Sequence, residues 1–283
     1  MNKKTSIARL SVVSNSFLIL LKLCVGLITG SVSIISEAIH SAMDLVAAVI
    51  TFFSVRMSDT PPDQRHPYGH GKIENISGVI ESILIFIAAV WIIIEAVIKL
   101  LEGGHIESIE LGSLVMLLSA IVNAFVSRKL YRVAKETDSL ALEADALHLK
   151  MDVYTSLGVS VGLAAIWLTR LEFLDPLVAL VVALFIIYES FRLLKKAFTP
   201  LLDIALDEND ISIIQHTIAS MSLKAHEIRT RKAGNYKFVD MHLEMDPNIP
   251  LEEVHNTCDE IERLLKARIP NLDVNIHVEP IEP

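Results

Sequence analysis

The sequence predicts an α-helical membrane protein, six transmembrane helices followed by a small α+β domain. Three observations carry that prediction. Of its 283 residues, 52% are hydrophobic and 21% are charged. That is too apolar for an ordinary soluble domain and too charged for a wholly embedded chain. Six apolar runs each approach or exceed the ~20 residues that a bilayer needs. The acidic excess is confined to the end, where the part from Thr199 onward holds roughly 16 acidic against 8 basic side chains. The boundary is placed at residue 200, giving domains of 1–200 and 201–283.

Lys3, Lys4 and Arg9 stand at the start of the first run, as in a signal peptide. A second run starts almost at once, with no convincing small-residue cleavage site between them, so the first is read as a retained helix. The runs cover 7–29, 32–55, 76–101, 111–133, 147–168 and 174–194. Arg56, Arg65 and Lys72 follow the second, Arg128, Lys129, Arg132 and Lys135 the fourth, and Arg192, Lys195 and Lys196 close the sixth. The alternate connections are short, acidic or nearly uncharged. The positive-inside rule then puts both termini and the tail in the cytoplasm of a cell membrane.

Thr199-Pro200 ends the last helix. Beyond it, Ile211, Ile214, Ile218 and Met221 recur at helical spacing, and 226–232 reads as a strand. Ala233-Gly234-Asn235 reads as a turn, and 237–245 alternates with Val239, Met241, Leu243 and Met245 on one face. A helix over 250–269 and a strand over 272–278 complete an α-β-β-α-β order, which suits a small sheet covered on one face by two helices. A core of about 80 residues is modest, so pairing with a second copy would add stability. The acidic tail argues against nucleic acid as a partner. Cys24 and Cys258 form no C-x-x-C pair, which leaves disulfide frameworks and cysteine zinc sites unsupported.

Two spacings inside apolar runs carry the chemistry: His40 with Asp44, and His148 with Asp152. Residues four apart on a helix share a face, with Cβ atoms roughly 6 Å apart. An ionised side chain at mid-membrane costs about 2.5–3.5 kcal/mol on insertion scales, so such carboxylates are unlikely passengers. Two pairs on facing helices supply four hard or borderline ligands, a set that suits a tetrahedral divalent cation such as zinc. Two neutral imidazoles and two carboxylates carry about −2, so that cation makes the site neutral. Lys22 is a further charge within the first run, read as snorkelling or structurally paired. Asp145, one turn before His148, is read chiefly as solvating a helix end and secondarily as attracting cations.

The loop Asp63-Gln64-Arg65-His66-Pro67-Tyr68-Gly69-His70-Gly71-Lys72 places Asp63, His66 and His70 at ligand-compatible spacing. In the tail, Asp240, His242 and Glu244 oppose the apolar face of one strand, and His277 and Glu279 that of another. His226 opens the first strand, and His255 lies on the second helix. These polar residues either decorate a solvated sheet face or hold metal.

The segments G-S-V-S-I-I-S-E-A-I-H-S-A-M-D, H-P-Y-G-H-G-K-I-E and A-D-A-L-H-L-K-M-D, in that order, resemble the cation diffusion facilitator family. The tail segments A-H-E-I-R-T-R-K-A-G, M-H-L-E-M-D and V-N-I-H-V-E-P look like its cytoplasmic domain. The resemblance covers nearly the whole chain. It implies a homodimeric metal/proton antiporter with a ferredoxin-like cytoplasmic domain, and no enzyme. Transport ligands would be His40, Asp44, His148 and Asp152, and a loop site Asp63, His66 and His70. A cytoplasmic cluster at the dimer contact would use His226, His242, His255, His277 and Glu279, where related zinc exporters have Asp. Lys72 matches a lysine that pairs with an acid near the end of the sixth helix, here Asp203 or Asp207. Family members with two His and two Asp are mostly zinc carriers, whereas Asp in place of His40 goes with cadmium as well. Zinc efflux by proton antiport is therefore expected. The alternatives are iron, manganese, cobalt or cadmium export, or a metal-sensing membrane protein that does not transport. An intramembrane metallohydrolase is disfavoured, since no H-E-x-x-H occurs and four protein ligands leave no open position.

Overall fold

The computed structural model describes residues 2–29, 32–102, 110–169 and 173–281. The chain forms two compact units, Met1–Phe198 and Thr199–Pro283. The first holds six helices: α1 (Lys3–Thr29), α2 (Val32–Ser58), α3 (Lys72–Glu102), α4 (Glu110–Thr137), α5 (Leu140–Thr169) and α6 (Leu174–Phe198). All are 25 residues or longer, enough to cross a bilayer. Among the described residues, α1, α2, α3 and α6 also hold stretches apolar enough to do so. In contrast, α5 carries Glu143, Asp145, Lys150 and Asp152 in its first half.

Several helices begin before their apolar runs. α3 starts at Lys72 and α5 at Leu140, whereas hydropathy placed them at 76 and 147. Hydropathy marks the slab a helix crosses, but the backbone ladder continues through polar turns outside it. Ser139 marks the true start of α5, its hydroxyl accepting from Leu142 N at 3.5 Å as an N-cap.

The bundle is built from close pairs, α1 along α2, α3 along α6 and α4 along α5, while α2 and α5 also meet. Small interior residues such as Ala47, Ala48, Ala89, Ala144 and Ala183 are buried, whereas Phe17, Leu20, Trp91, Phe125 and Phe185 are exposed, as a lipid-facing surface requires. α5 and α6 approach closely at Gly158, where an added Cβ would lie 2.8 Å from Val182 Cγ2. Gly158→Val is expected to lower stability by about 1–3 kcal/mol through overpacking, read from unfolding in detergent micelles.

After a 3-10 turn (Thr199–Leu202), the second unit runs α7 (Glu208–Ser220), β1 (Lys224–Ala233), β2 (Tyr236–Met245), α8 (Leu251–Arg268) and β3 (Leu272–Pro280). The sheet order is β1-β2-β3, with β1 antiparallel and β3 parallel to β2. Asp207 is the N-cap of α7, accepting from Asp210 N at 2.9 Å. Val239, Met241, Leu243 and Met245 are buried against Ile214 and Ile218 of α7 and Ile261 and Leu265 of α8. Alternation then sends the even-numbered residues of β2 to the opposite face of the sheet.

β1 begins two residues before its expected start, and its pairing is interrupted between His226 and Arg229. Two residues there oppose one on β2, a β-bulge, and Glu227 takes a left-handed φ of 47°. The bulge lets Ala225 and Ile228, three apart, both pack against the core.

Candidate metal centres

Within the membrane unit, Asp44 on α2 meets His148 on α5, with His148 Nε2 3.2 Å from Asp44 Oδ1. Ligand atoms of Asp44, His148 and Asp152 all lie within 4.8 Å of one another. Tetrahedral zinc with bonds of about 2.0 Å needs ligand separations of about 3.3 Å, so small side-chain movements close the set. Asp44 and His148 are buried. The side chain of His40 lies outside the described residues.

Asn123 on α4 donates to Asp152 Oδ2 at 3.2 Å, and Asn15 on α1 reaches the Asp44 carbonyl at 3.5 Å. Neither is visible from spacing, because each partner sits on another helix. A hydrogen-bonded carboxylate ligand is held in orientation by its partner, and losing such a partner costs 10–100-fold in metal affinity. Asn123→Ala is expected to weaken metal binding by about that factor, measured by titration of the purified chain.

Lys22 is buried and donates to Ser41 Oγ at 2.7 Å, a structural partner rather than a snorkelled end. Asp145 departs from its expected place. It is 1% exposed, so it does not solvate a helix end. α5 starts five residues earlier, and Asp145 is enclosed among neighbouring helices instead.

Nearer the cytoplasmic helix ends, Glu74 joins four helices. It is 1% exposed and accepts from Lys4 Nζ at 2.9 Å, Ser58 Oγ at 2.8 Å and Ser139 Oγ at 2.5 Å. Lys4 Nζ also lies 2.9 Å from Asp59 Oδ1. Glu74 was visible in the sequence only as the last residue of the His66-Pro67 motif.

The α2–α3 loop brings Asp63, His66 and His70 together. His70 Nε2 lies 3.1 Å from His66 Nδ1 and 3.5 Å from Asp63 Oδ2, and Gly69 makes the turn at a φ of 81°. The backbone N–H groups of His66 and Arg65 donate to Asp63 and hold its carboxyl below the usual range. The carboxylate therefore stays ionised, as metal ligation requires.

On the outer face of the cytoplasmic sheet, register aligns His226, His242 and His277 across the three strands. His226, His242 and Glu279 offer ligand atoms within 4.8 Å of one another. His242 Nδ1 lies 2.8 Å from Glu279 Oε1, and the His242 and His277 rings are 4.8 Å apart. Glu244 and Glu227 stand beside them, Glu244 Oε1 at 3.5 Å from His226 Nδ1 and Glu227 Oε2 at 3.9 Å from His242 Nε2. Glu227 was not legible as a neighbour, since the bulge alone turns it to this face.

His255 is not brought to this cluster. It is 71% exposed on α8 and sits 3.5 Å from Asp259 one turn on. α8 packs on the core face of the sheet, opposite the histidines. Of the two acids considered for Lys72, Asp207 caps α7, and Asp203 Oδ1 lies 3.8 Å from Arg231 within the cytoplasmic unit.

Residues 8–202 match the cation efflux transmembrane domain, and residues 206–281 the cation efflux protein cytoplasmic domain. An uncharacterized transporter of Synechocystis sp. is 34% identical over 93% of this chain and 86% of its own length. The cation-efflux pump FieF of Pectobacterium atrosepticum is 33% identical over 89% of this chain and 85% of its own. A solved structure of CzrB in its zinc form is 37% identical, covers 28% of this chain and 93% of that one, and has a TM-score of 0.26. The chain belongs to the cation efflux (cation diffusion facilitator) family, as a multi-pass membrane transporter with a cytoplasmic C-terminal domain and not an enzyme.

Proposed function

We propose that the chain exports zinc from the cytoplasm in exchange for protons, alternating access about His40, Asp44, His148 and Asp152. The observation that carries this reading is the convergence of Asp44, His148 and Asp152 from two helices into a buried site. Two carboxylates there need a compensating positive charge, and a divalent cation supplies it. A mixed nitrogen and oxygen donor set at tetrahedral count favours zinc over manganese, which prefers more oxygen ligands.

Protons compete with the metal because ligation needs neutral imidazole and ionised carboxylate. Acidity outside favours release there, and a proton on the emptied site relieves its negative charge during the return. Domain 1–200 performs transport. Domain 201–283 pairs with a second copy, and metal at His226, His242, His277 and Glu279 biases the transport equilibrium through differential affinity. Asp63, His66 and His70 gather metal at the cytoplasmic mouth. Both termini lie in the cytoplasm, and the lipid of the cell membrane surrounds the helices.

The test is zinc flux into proteoliposomes under an imposed proton gradient. Gradient-driven uptake is expected for the parent and is absent in Asp152→Ala. Undiminished uptake by that variant would refute the scheme.

A further inference from the structure

Four helices enclose a second group of polar side chains on the cytoplasmic side of the transport site. Glu81 on α3 is 0% exposed, and Thr51 on α2 donates to its Oε1. Its Oε2 is buried without a hydrogen-bond partner, as are both oxygens of Asp145 on α5. Ser11 on α1 lies beside Asp145, and its buried hydroxyl makes no hydrogen bond of ordinary geometry. Glu81 and Asp145 lie within electrostatic reach of each other and of His148. Among the described residues, no ion pair reaches either acid.

Three orphaned carboxylate oxygens and a hydroxyl in one enclosed place are costly. Each buried polar group without a partner forfeits the hydration it had in water, and an uncompensated carboxylate forfeits more. Lys4 does not neutralise them, since its ammonium is shared by Glu74 and Asp59. Positive charge from outside the chain, carried by a bound cation or by protons on the acids, relieves that cost.

We infer that Glu81 and Asp145, with the hydroxyls of Ser11 and Thr51, form a second station that binds a divalent cation before it reaches Asp44, His148 and Asp152. The inference rests on the transport reading, and extends it with a site of different chemistry. Two carboxylates neutralise one divalent ion, and the donors are all oxygen, a set that holds zinc less tightly than one containing imidazole. The cytoplasmic domain follows α6, so the N-terminal end of α5 faces the cytoplasm. Asp145 precedes His148 by three residues, about 4.5 Å along the helix. An ion entering from that side meets the oxygen station first and the stronger set next. Conduction through successive sites needs an early site weak enough to release its ion.

The experiment is anomalous X-ray scattering from crystals of the full chain grown with zinc or manganese, beside flux kinetics of Glu81→Gln and Asp145→Asn. A metal peak within bonding distance of Glu81 and Asp145 is expected. Each variant is expected to raise the KM for metal about tenfold or more and to keep the peak at Asp44, His148 and Asp152, whereas Glu81→Asp, which retains a carboxylate, is expected to keep a KM near that of the parent. A peak at the transport site alone, with the KM of both variants unchanged, would mean protons or water satisfy the acids and would overturn the station. Absence of both peaks would count against the transport reading itself.

Discussion

Replacing Asp44 by Asn is expected to reduce proton-driven zinc flux at least ~100-fold, a loss of about 2.8 kcal/mol or more in stabilisation of the bound ion. The substitution keeps size and shape, and the amide can still approach His148 Nε2, now 3.2 Å from Asp44 Oδ1. What it removes is charge. With one carboxylate gone, a divalent ion in this buried place keeps an uncompensated positive charge, and desolvation of such a charge costs several kcal/mol. Folding should survive, because Asn15 holds the Asp44 backbone carbonyl and not its side chain. Flux and metal titration would fall together, with an unchanged unfolding midpoint in detergent. Loss of flux with full metal affinity would instead place Asp44 in the rocking step.

The second large effect is on stability. Glu74→Ala is expected to cost about 3–5 kcal/mol, because it removes one member of a buried ion pair and leaves the other. Among the described residues Lys4 would keep only Asp59, and the Ser139 hydroxyl would lose its acceptor. Ser58 is less affected, as its hydroxyl also donates to Val55 O at 3.0 Å. Lys4→Met combined with Glu74→Leu should recover most of the loss, since an apolar pair of similar volume needs no compensating charge. Reversible unfolding in mixed micelles measures both. A small loss in Glu74→Ala with no recovery in the double variant would show that the ion pair contributes little.

The two experiments bear on different layers of what was legible in the chain. Helices and their order follow from hydropathy, because a bilayer imposes a length that any apolar run either meets or misses. The polar face of the cytoplasmic sheet also follows, since Val239, Met241 and Leu243 alternate with His242 and Glu244 and burial fixes the phase. The His148–Asp152 spacing was readable because both residues share one helix. Residues that act across helices were not. Asn123 reaches Asp152 from α4, and Glu74 gathers groups from α1, α2 and α5. Nothing local distinguishes them from other polar residues. Glu81 could have been found, as the cost of a carboxylate in an apolar run applies to it as it does to Asp44. Asp145 marks the opposite error. Position near a helix end implied solvent for it, whereas burial among neighbouring helices is what the fold provides.

The bulge in β1 has a further consequence. Deleting Glu227 would leave Ile228 opposite Met241 and His226 still opposite His242, so the ladder would close as a regular one. The fold and the three aligned histidines would persist, while one acid would vanish from their neighbourhood and a left-handed residue would no longer be needed. The charge around these histidines is thus adjustable by chain length. A single-codon insertion or deletion can retune how strongly this face attracts cations without any substitution at a ligand.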